Sequence, residues 1–279
     1  MLDSSDSISS TSYQGNELSS GFPPTFEILG TPIAAITMDQ AINLVSSWIV
    51  GSRKPRLVTF TNVHMLTEGH SRRDFLSILR ETDLNCADGM PLVWVGKHRL
   101  EKVSQVCGPD FFEEFFATTA TSNIKHFFYG GADGVAGKVV SELRARYSSI
   151  QIAGTYTPPF RTLTDEEDEA IVQQINDSGA DMVWVCLGCP KQERWMYQHR
   201  NRLRASVILA VGQAFDVFAG VKQRAPAEFR TSGLEWLYRA FKDPKRLIGR
   251  YLVSNTMFLL LMMAEFLKRR QVLVAHPRI

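Results

Sequence analysis

The feature that most constrains this chain is an alternation of short apolar runs with longer amphipathic segments, which begins near Phe26. Several runs are continuously apolar, as a strand buried on both faces of a sheet requires. Alternating strands and helices predict an α/β fold with a doubly wound, mostly parallel sheet and helices on both faces. The predicted strands cover residues 26–29, 57–61, 84–87, 126–129, 150–154, 182–187 and 207–211.

Two helices have recognisable start signals. Thr37 precedes Gln40 by three residues and Thr164 precedes Glu167 by three, which is the spacing of a capping box. Acidic residues also follow Thr164 directly, where they interact favourably with the helix dipole. We therefore expect one helix to begin after Thr37 and another after Thr164.

Polar residues and glycines gather directly after the predicted strands. In open α/β sheets, ligands bind beyond the carboxyl ends of the strands, so these positions are the first place to look for a site. They are Thr61, Asn62, Asp88, Gly89, Gly130, Gly131, the segment 188–192 with Lys191 and Gln192, and the segment 212–216 with Gln213 and Asp216. The sequence predicts a ligand site built from these loops.

Asp88 is the strongest single candidate for chemistry. It ends an apolar strand and precedes Gly89, which predicts a carboxylate at the mouth of the sheet. A partly desolvated carboxylate in that position can act as a general base on a hydroxyl group. Helix N-capping is the alternative role, because aspartate is also a common N-cap residue.

The glycine-rich turn at 130–137 resembles nucleotide-binding loops but fits neither standard pattern. The dinucleotide fingerprint fails because Tyr129 stands where its first glycine belongs, and the P-loop fails at Ala132 and Val139. Two interpretations stay open: a turn where a ligand approaches backbone amides at a helix N-terminus, or a tight turn with no ligand.

No metal or cofactor is predicted. Cys186 and Cys189 have the spacing of half a zinc site, but no second pair completes it, and Cys186 lies within an apolar strand. The histidines have no metal-binding spacing, and the chain has neither an Asp-x-Asp pair nor a G-x-S-x-G elbow. Four cysteines in 279 residues are typical of a protein in a reducing cytosol.

The two ends of the chain differ from its middle. Residues 1–22 contain eight serines and almost no aliphatic residues, which predicts a disordered arm. An α/β core is predicted over 23–228, and a basic helical C-terminal appendage over 229–279. Residues 222–279 hold 12 Lys+Arg and 4 Asp+Glu, a net charge of +8, whereas the remainder has a net charge of −6. Such a basic end predicts an anionic partner, either a nucleic acid or a membrane surface.

The appendage combines basic residues with an apolar run. The basic residues Arg239, Lys242, Lys245, Arg246 and Arg250 have helix-like spacing and could bind phosphates or form a solvated face. The run over 247–267 is interrupted by three polar or charged residues, and its clean part, 256–264, is shorter than the ~20 residues of a transmembrane helix. We therefore expect an interfacial amphipathic helix, with a core-packing helix as the alternative.

Five motifs in order along the chain resemble the WecG/TagA/CpsF glycosyltransferases, a family that includes the xanthan-type glucosyltransferase GumM. They lie at 85–89, 187–195, 215–220, 224–226 and 233–239. The resemblance implies a Rossmann-like, metal-independent, inverting enzyme. Such an enzyme transfers glucose, N-acetylmannosamine or its uronic acid from UDP to a polyprenyl-diphosphate-linked saccharide in cell-surface or exopolysaccharide synthesis.

The resemblance also implies roles for individual residues. Asp88 matches the proposed base and Gln192 an active-site residue, so both are predicted to be catalytic, and Thr61, Asn62 and Asp216 match further pocket positions. Arg239 and Arg246 match arginines that cover the donor diphosphate, with Arg250 as a third at slightly shifted spacing. One departure is Gln105, which stands where some members carry arginine.

The resemblance places the protein on the cytoplasmic face of the bacterial plasma membrane as a peripheral protein, docked through its appendage. A monomer and a homo-oligomer are both open. Two other functions stay open: a catalytically inactive membrane scaffold, and a nucleic-acid-binding protein that uses the basic tail. The apolar run at 258–263 disfavours the nucleic-acid interpretation, because apolar side chains do not contribute to phosphate contacts.

Overall fold

A computed structural model of the chain describes residues 21–51, 54–99 and 102–275, without the side chains of residues 50, 227, 231, 246 and 268–275. The predicted disordered arm therefore lies outside the described residues, apart from Gly21 and Phe22. The predicted boundary between core and appendage, at 228/229, falls inside a short helix.

The core is a six-stranded, fully parallel sheet with the strand order β4-β3-β8-β7-β5-β6. Its strands are β3 (Arg56–Thr61), β4 (Leu84–Ala87), β5 (Lys125–Gly130), β6 (Gln151–Tyr156), β7 (Met182–Cys186) and β8 (Val207–Ala210). The predicted α/β class, parallel sheet and strand positions are confirmed, with strand ends that differ by one or two residues.

The first predicted strand is not part of this sheet. β1 (Thr25–Ile28) pairs antiparallel with β2 (Thr31–Ala34), which the sequence analysis missed. Leu29 and Gly30 connect the two strands and both have positive φ, as a two-residue hairpin turn requires. By residue preference, Pro32 disfavours a strand at β2. An edge hairpin nevertheless tolerates proline, because not every backbone N–H is paired.

Helices cover both faces of the sheet, as predicted. Within the described ranges they are α1 (Met38–Gly51), α2 (Val63–Ser71), α3 (Arg73–Glu81), α4 (Met90–Arg99), α5 (Gly108–Thr119), α6 (Val135–Arg146), α7 (Asp165–Asp177), α8 (Lys191–His199), α9 (Ala214–Phe218), α10 (Ala227–Thr231), α11 (Glu235–Lys242) and α12 (Pro244–Ala275). Both predicted capping boxes are confirmed: each threonine exchanges hydrogen bonds with the residue three positions later.

The core has two layers, one on each face of the sheet. On one face, Trp184 of β7 packs against the phenylalanines of α5, which recur at helical spacing and are fully buried: Phe111, Phe112, Phe115 and Phe116. On the other face, Val183 and Val185 pack against α7 and α8. Successive residues of β7 thus contribute to opposite layers, so the sheet packs against helices on both faces.

Beyond the end of α10, the described part of the appendage forms two helices. α11 ends at Lys242, Asp243 adopts a non-helical conformation, and α12 begins at Pro244. The residue before a proline disfavours the helical region, which explains the break. The helix-like spacing predicted for the five basic residues therefore does not run through one helix, because Arg239 lies on α11 and Arg246 on α12.

α12 packs against α2 along the side of the core. Phe258 is buried in a cluster with Leu66, and Arg99 of α4 lies 3.7 Å from Glu265. By length and composition alone, the stretch Leu247–Leu267 could cross a membrane, with a mean hydropathy of 1.5. This differs from the sequence-based expectation, which counted only the uninterrupted part of the stretch.

Candidate active site

A cavity of about 1050 Å³ opens at the carboxyl edge of the sheet and is closed on one side by α11 and α12. Loops that follow five of the six sheet strands supply its floor, and β6 contributes the rim segment 158–163. The predicted site residues that line it are Asn62, Asp88, Gly131, Lys191, Gln192, Gln213, Asp216, Arg239 and Arg250. Residues distant in sequence thus meet where the parallel topology brings the strand ends together.

Asp88 is fixed by three neighbours. Its backbone N–H donates to the carbonyl of Thr61 at 2.9 Å, and its own carbonyl accepts from Gln105 Nε2 at 2.6 Å. Asn62 Nδ2 donates to Asp88 Oδ2 at 3.4 Å. The side chain is half-buried, so its carboxylate is held in place and still faces the cavity.

The environment of Asp88 favours the protonated acid. The pKa of its carboxyl is raised to about 7, mainly by burial and then by the charge of Glu235, against the lowering effects of Arg239 and Asn62. A carboxylate whose pKa lies near neutral pH can accept a proton in one step and release it afterwards. This suits the role of general base.

Thr61 and Asn62 contribute differently. Thr61 is fully buried, its Oγ1 lies 3.1 Å from Thr59 Oγ1, and only its carbonyl reaches Asp88. Asn62 caps α2 by accepting from the N–H of Met65 at 3.2 Å, and its amide group reaches Asp88 as well. Asn62 is therefore placed to contact a ligand, whereas Thr61 shapes the backbone under Asp88.

The two glycines after β5 also differ. A Cβ atom at Gly130 would lie 2.4 Å from the carbonyl oxygen of Cys186, so this position needs glycine for strand packing. Gly131 lines the cavity, but its N–H already donates to the same carbonyl at 2.7 Å. The turn therefore brings the backbone close to the cavity without offering this amide to a ligand.

Gln192 lies at the floor of the cavity near the N-terminus of α8. Its Oε1 accepts from the N–H of Gly188 at 3.2 Å, and its Nε2 donates to Glu193 Oε1 at 2.8 Å. The pKa of the Glu193 carboxyl is raised to about 7 by burial, against the lowering effect of the hydrogen bond from Gln192. Lys191, next to them, is exposed at the cavity wall.

The loop after β8 meets the appendage. Arg239 Nη2 donates to Gln213 Oε1 at 2.9 Å, which links α11 to the core. Asp216 forms an ion pair with Lys222, so its carboxylate is neutralised within the cavity wall. This hydrogen bond uses one of the five N–H donors of the guanidinium group, and the charge of Arg239 also lowers the pKa of the Asp88 carboxyl.

Arg250 enters the cavity from α12. Its Nε is buried and has no hydrogen-bond partner within the part of the chain that the structure describes, and its guanidinium lies 5.5 Å from the ring of Tyr251. An unpartnered buried donor of this kind favours an anionic ligand. The backbone of Arg246 belongs to α12, but its side chain lies outside the described residues.

Several cavity residues were not predicted. Glu235 raises the pKa of Asp88 and lies within the motif at 233–239, where it could have been noticed. His64 and Arg230 gave no sequence signal, because nothing local indicates that their helices border the cavity. Gln105 was noticed as a departure, and it reaches the backbone of Asp88 and lines the cavity.

The described residues contain no group of three or more His, Cys, Asp or Glu side chains placed to hold a metal ion. Cys186 is buried and donates to the carbonyl of Gly212 at 2.7 Å, and burial raises the pKa of its thiol to about 12. Cys189 is half-buried in the cavity wall.

Comparison with known proteins identifies the family of this chain. The model of the glycosyl transferase WecG/TagA/CpsF family matches residues 26–272. Two similar proteins, from Staphylococcus aureus strains MW2 and NCTC 8325, are each named N-acetylglucosaminyldiphosphoundecaprenol N-acetyl-beta-D-mannosaminyltransferase. Each is 30% identical to this chain over 227 residues, which are 80% of this chain and 87% of the relative. With five motifs, a parallel α/β core and a family match over most of its length, this chain belongs to the WecG/TagA/CpsF family of glycosyltransferases.

Proposed function

We propose that this protein is an inverting glycosyltransferase that moves a sugar from a UDP-sugar to a saccharide linked to polyprenyl diphosphate. The observation that carries the proposal is Asp88, a fixed carboxylate with a pKa near 7 that faces a cavity shared with Arg239 and Arg250. The names of the relatives support the acceptor class, since those proteins act on a sugar linked to diphosphoundecaprenol. They favour N-acetylmannosamine as the donor sugar over glucose.

In the proposed reaction, Asp88 accepts the proton of an acceptor hydroxyl group. The acceptor oxygen forms a bond to the anomeric carbon while the bond from that carbon to the UDP oxygen breaks. Because attack and departure occur on opposite faces, the anomeric configuration inverts. The electron pair of the broken bond stays on the diphosphate, which leaves as UDP, and the proton on Asp88 is later released to solvent.

The departing diphosphate needs positive charge near it. Arg239 and Arg250 line the same cavity as Asp88, and their guanidinium groups suit bidentate contact with phosphate oxygens. Charges held in place before the reaction stabilise a developing anion without reorganisation. Arginines in these positions support transfer that does not depend on a metal ion.

The appendage supports a lipid-linked acceptor. Leu252, Val253, Leu259, Leu260 and Met263 on α12 are exposed, and the appendage has an excess of basic residues. Exposed apolar side chains with basic neighbours are attracted to anionic membranes. We propose peripheral docking on the cytoplasmic face, which would bring the cavity to a membrane-held substrate in cell-surface or exopolysaccharide synthesis.

The direct test is release of UDP by the purified protein. The acceptor would be a short-chain polyprenyl-diphosphate N-acetylglucosamine, offered with UDP-N-acetylmannosamine, UDP-glucose and UDP-N-acetylglucosamine in turn, each with EDTA and again with magnesium. We expect release with one donor, unchanged by EDTA, and an inverted anomeric bond by NMR. Silence with every donor while vesicle binding is intact would favour the inactive-scaffold alternative.

A further inference from the structure

We propose that Glu193 is a positioning residue, whose buried carboxyl group fixes the amide of Gln192 so that one N–H of that amide is left for the donor substrate. This inference deepens the proposed glycosyl transfer and rests on it. Gln192 lines the cavity, whereas Glu193 lies directly behind it and is fully buried.

The hydrogen bonds of Gln192 leave it a single orientation. The N–H of Gly188 donates to Oε1 at 3.2 Å, and Nε2 donates to Glu193 Oε1 at 2.8 Å. A primary amide has two N–H donors, so the second N–H of Nε2 stays available. Without an acceptor at position 193, only the N–H of Gly188 would hold the amide, and its NH2 group would no longer be fixed toward the substrate.

The burial of Glu193 is hard to explain by stability alone. A carboxyl group is rarely fully buried, and burial of a polar group without a full set of partners is unfavourable. Its second oxygen, Oε2, has no hydrogen-bond partner at normal geometry among the described residues, and the only other side chain that stabilises the charged carboxyl is the Cys189 thiol, a weak donor. An apolar side chain of similar size would fill this site without that penalty, so the acidic residue is better explained by its effect on Gln192.

A stabilising role near a helix N-terminus is the main alternative, since Glu193 lies in the first turn of α8. That role predicts a loss of stability when the charge is removed, but no dependence on Gln192. The two roles therefore differ in whether the effects of substitution at positions 192 and 193 are independent, which a double-mutant cycle measures.

The experiment compares wild type, Glu193→Leu, Gln192→Ala and the double variant. The readouts are kcat/KM for UDP release with the acceptor and donor used by the wild type, and the Kd for UDP by calorimetry. We expect each single substitution to lower kcat/KM about 10²-fold, the lower end of the range for loss of one donor to a developing anion. The double variant should be no slower than Gln192→Ala.

Glu193→Gln is the conservative variant, because its amide oxygen still accepts from Gln192. We expect it to keep kcat/KM within about fivefold of wild type, and it also serves if Glu193→Leu does not fold. His199→Leu is the matched control: His199 is a buried polar residue of the same helix, bonded to Asp168 at 2.9 Å and outside the cavity. The fold-losses in kcat/KM from His199→Leu and Gln192→Ala should be independent, so the variant with both substitutions should show their product.

Three outcomes would overturn the positioning role: wild-type kcat/KM in Glu193→Leu, multiplying effects at 192 and 193, or a Glu193→Gln variant as slow as Gln192→Ala. A wild-type protein that neither turns over nor binds UDP would overturn the proposed function together with this role. A fully active wild type with independent effects would overturn the positioning role alone.

Discussion

The two sides of the cavity are built differently. On the core side, Asp88 and Gln192 follow buried parallel strands, and hydrogen bonds from neighbouring loops fix both groups. On the appendage side, α11 buries Ala240 but leaves Phe241 exposed, and α12 packs on α2 and α11 but leaves Leu252, Leu259 and Met263 exposed. In the proposed function, the core would hold the reacting groups, and the appendage would add positive charge and an apolar surface.

The largest effect is expected on the core side. Asp88→Asn keeps the size of the side chain and removes its ability to accept a proton, so we expect kcat to fall about 10³-fold, within the range for a lost general base. Steady-state UDP release measures the change, with circular dichroism as the check of folding. Wild-type kcat in this variant would remove Asp88 from the reaction.

Removal of one positive charge from the appendage should also slow the reaction, but less than loss of Asp88. We expect Arg250→Gln to lower kcat/KM about 10²-fold, because it removes a donor from the developing diphosphate anion. Lys242→Gln is the control, since Lys242 has the same charge on the same appendage but lies outside the cavity lining. Equal losses in the two variants would indicate a general charge effect instead of a contact with substrate.

The apolar surface of the appendage can be tested apart from its charge. We expect the double variant Leu259→Gln/Leu260→Gln to lower binding to anionic vesicles at least about tenfold, since burying a leucine side chain contributes roughly 1.5–3 kcal/mol. Both side chains are exposed, so the folded core should keep its stability. Phe160→Ser, an exposed apolar position on the core rim, is the control and should bind vesicles like wild type.

If both variants lose binding equally, the core rim also contacts the membrane. If neither does, the appendage is not the membrane-binding surface. Vesicle sedimentation at low and high salt measures each case, because basic residues lose their attraction to anionic lipid as salt rises.

The core and the appendage also differ in how much of their structure could be predicted from the sequence. The core strands are continuous apolar runs that end in polar residues, so their positions followed from the pattern of apolar residues. The cavity lies at the strand ends, where ligands bind in open α/β sheets. Asp88 was found because it ends such a strand. The hairpin of β1 and β2 was missed because its second strand contains Pro32, and only the pairing of the whole segment reveals it.

The appendage was less predictable. Its helical character followed from spacing, but the break at Asp243 depends on the local effect of Pro244. The packing of α12 on α2 depends on contacts between segments almost 200 residues apart, such as Ser254 with His64 at 3.4 Å. No local pattern encodes such a contact, so the entry of Arg250 into the cavity could be proposed only from the family resemblance.

The pKa of Asp88 depends on both sides of the cavity. A base must be ionised to act, so with a pKa near 7 roughly a tenth of Asp88 would be active at pH 6, and kcat/KM should rise through pH 7 and then level off. Glu235 of α11 raises this pKa and Arg239 lowers it. Glu235→Gln should therefore move the rise to lower pH, and Arg239→Gln should move it to higher pH.

Measurement of kcat/KM from pH 5 to pH 9 for these two variants separates the effects on the base from those on the leaving group. Arg239→Gln should also lower the plateau, because it removes charge near the diphosphate, whereas Glu235→Gln should change the plateau by only a few-fold. If the pH profiles of the two variants shift in opposite directions, side chains of α11 control the pKa of Asp88. Identical pH profiles in both variants would contradict this effect of α11 on Asp88. The appendage would then only supply positive charge near the diphosphate and dock on the membrane.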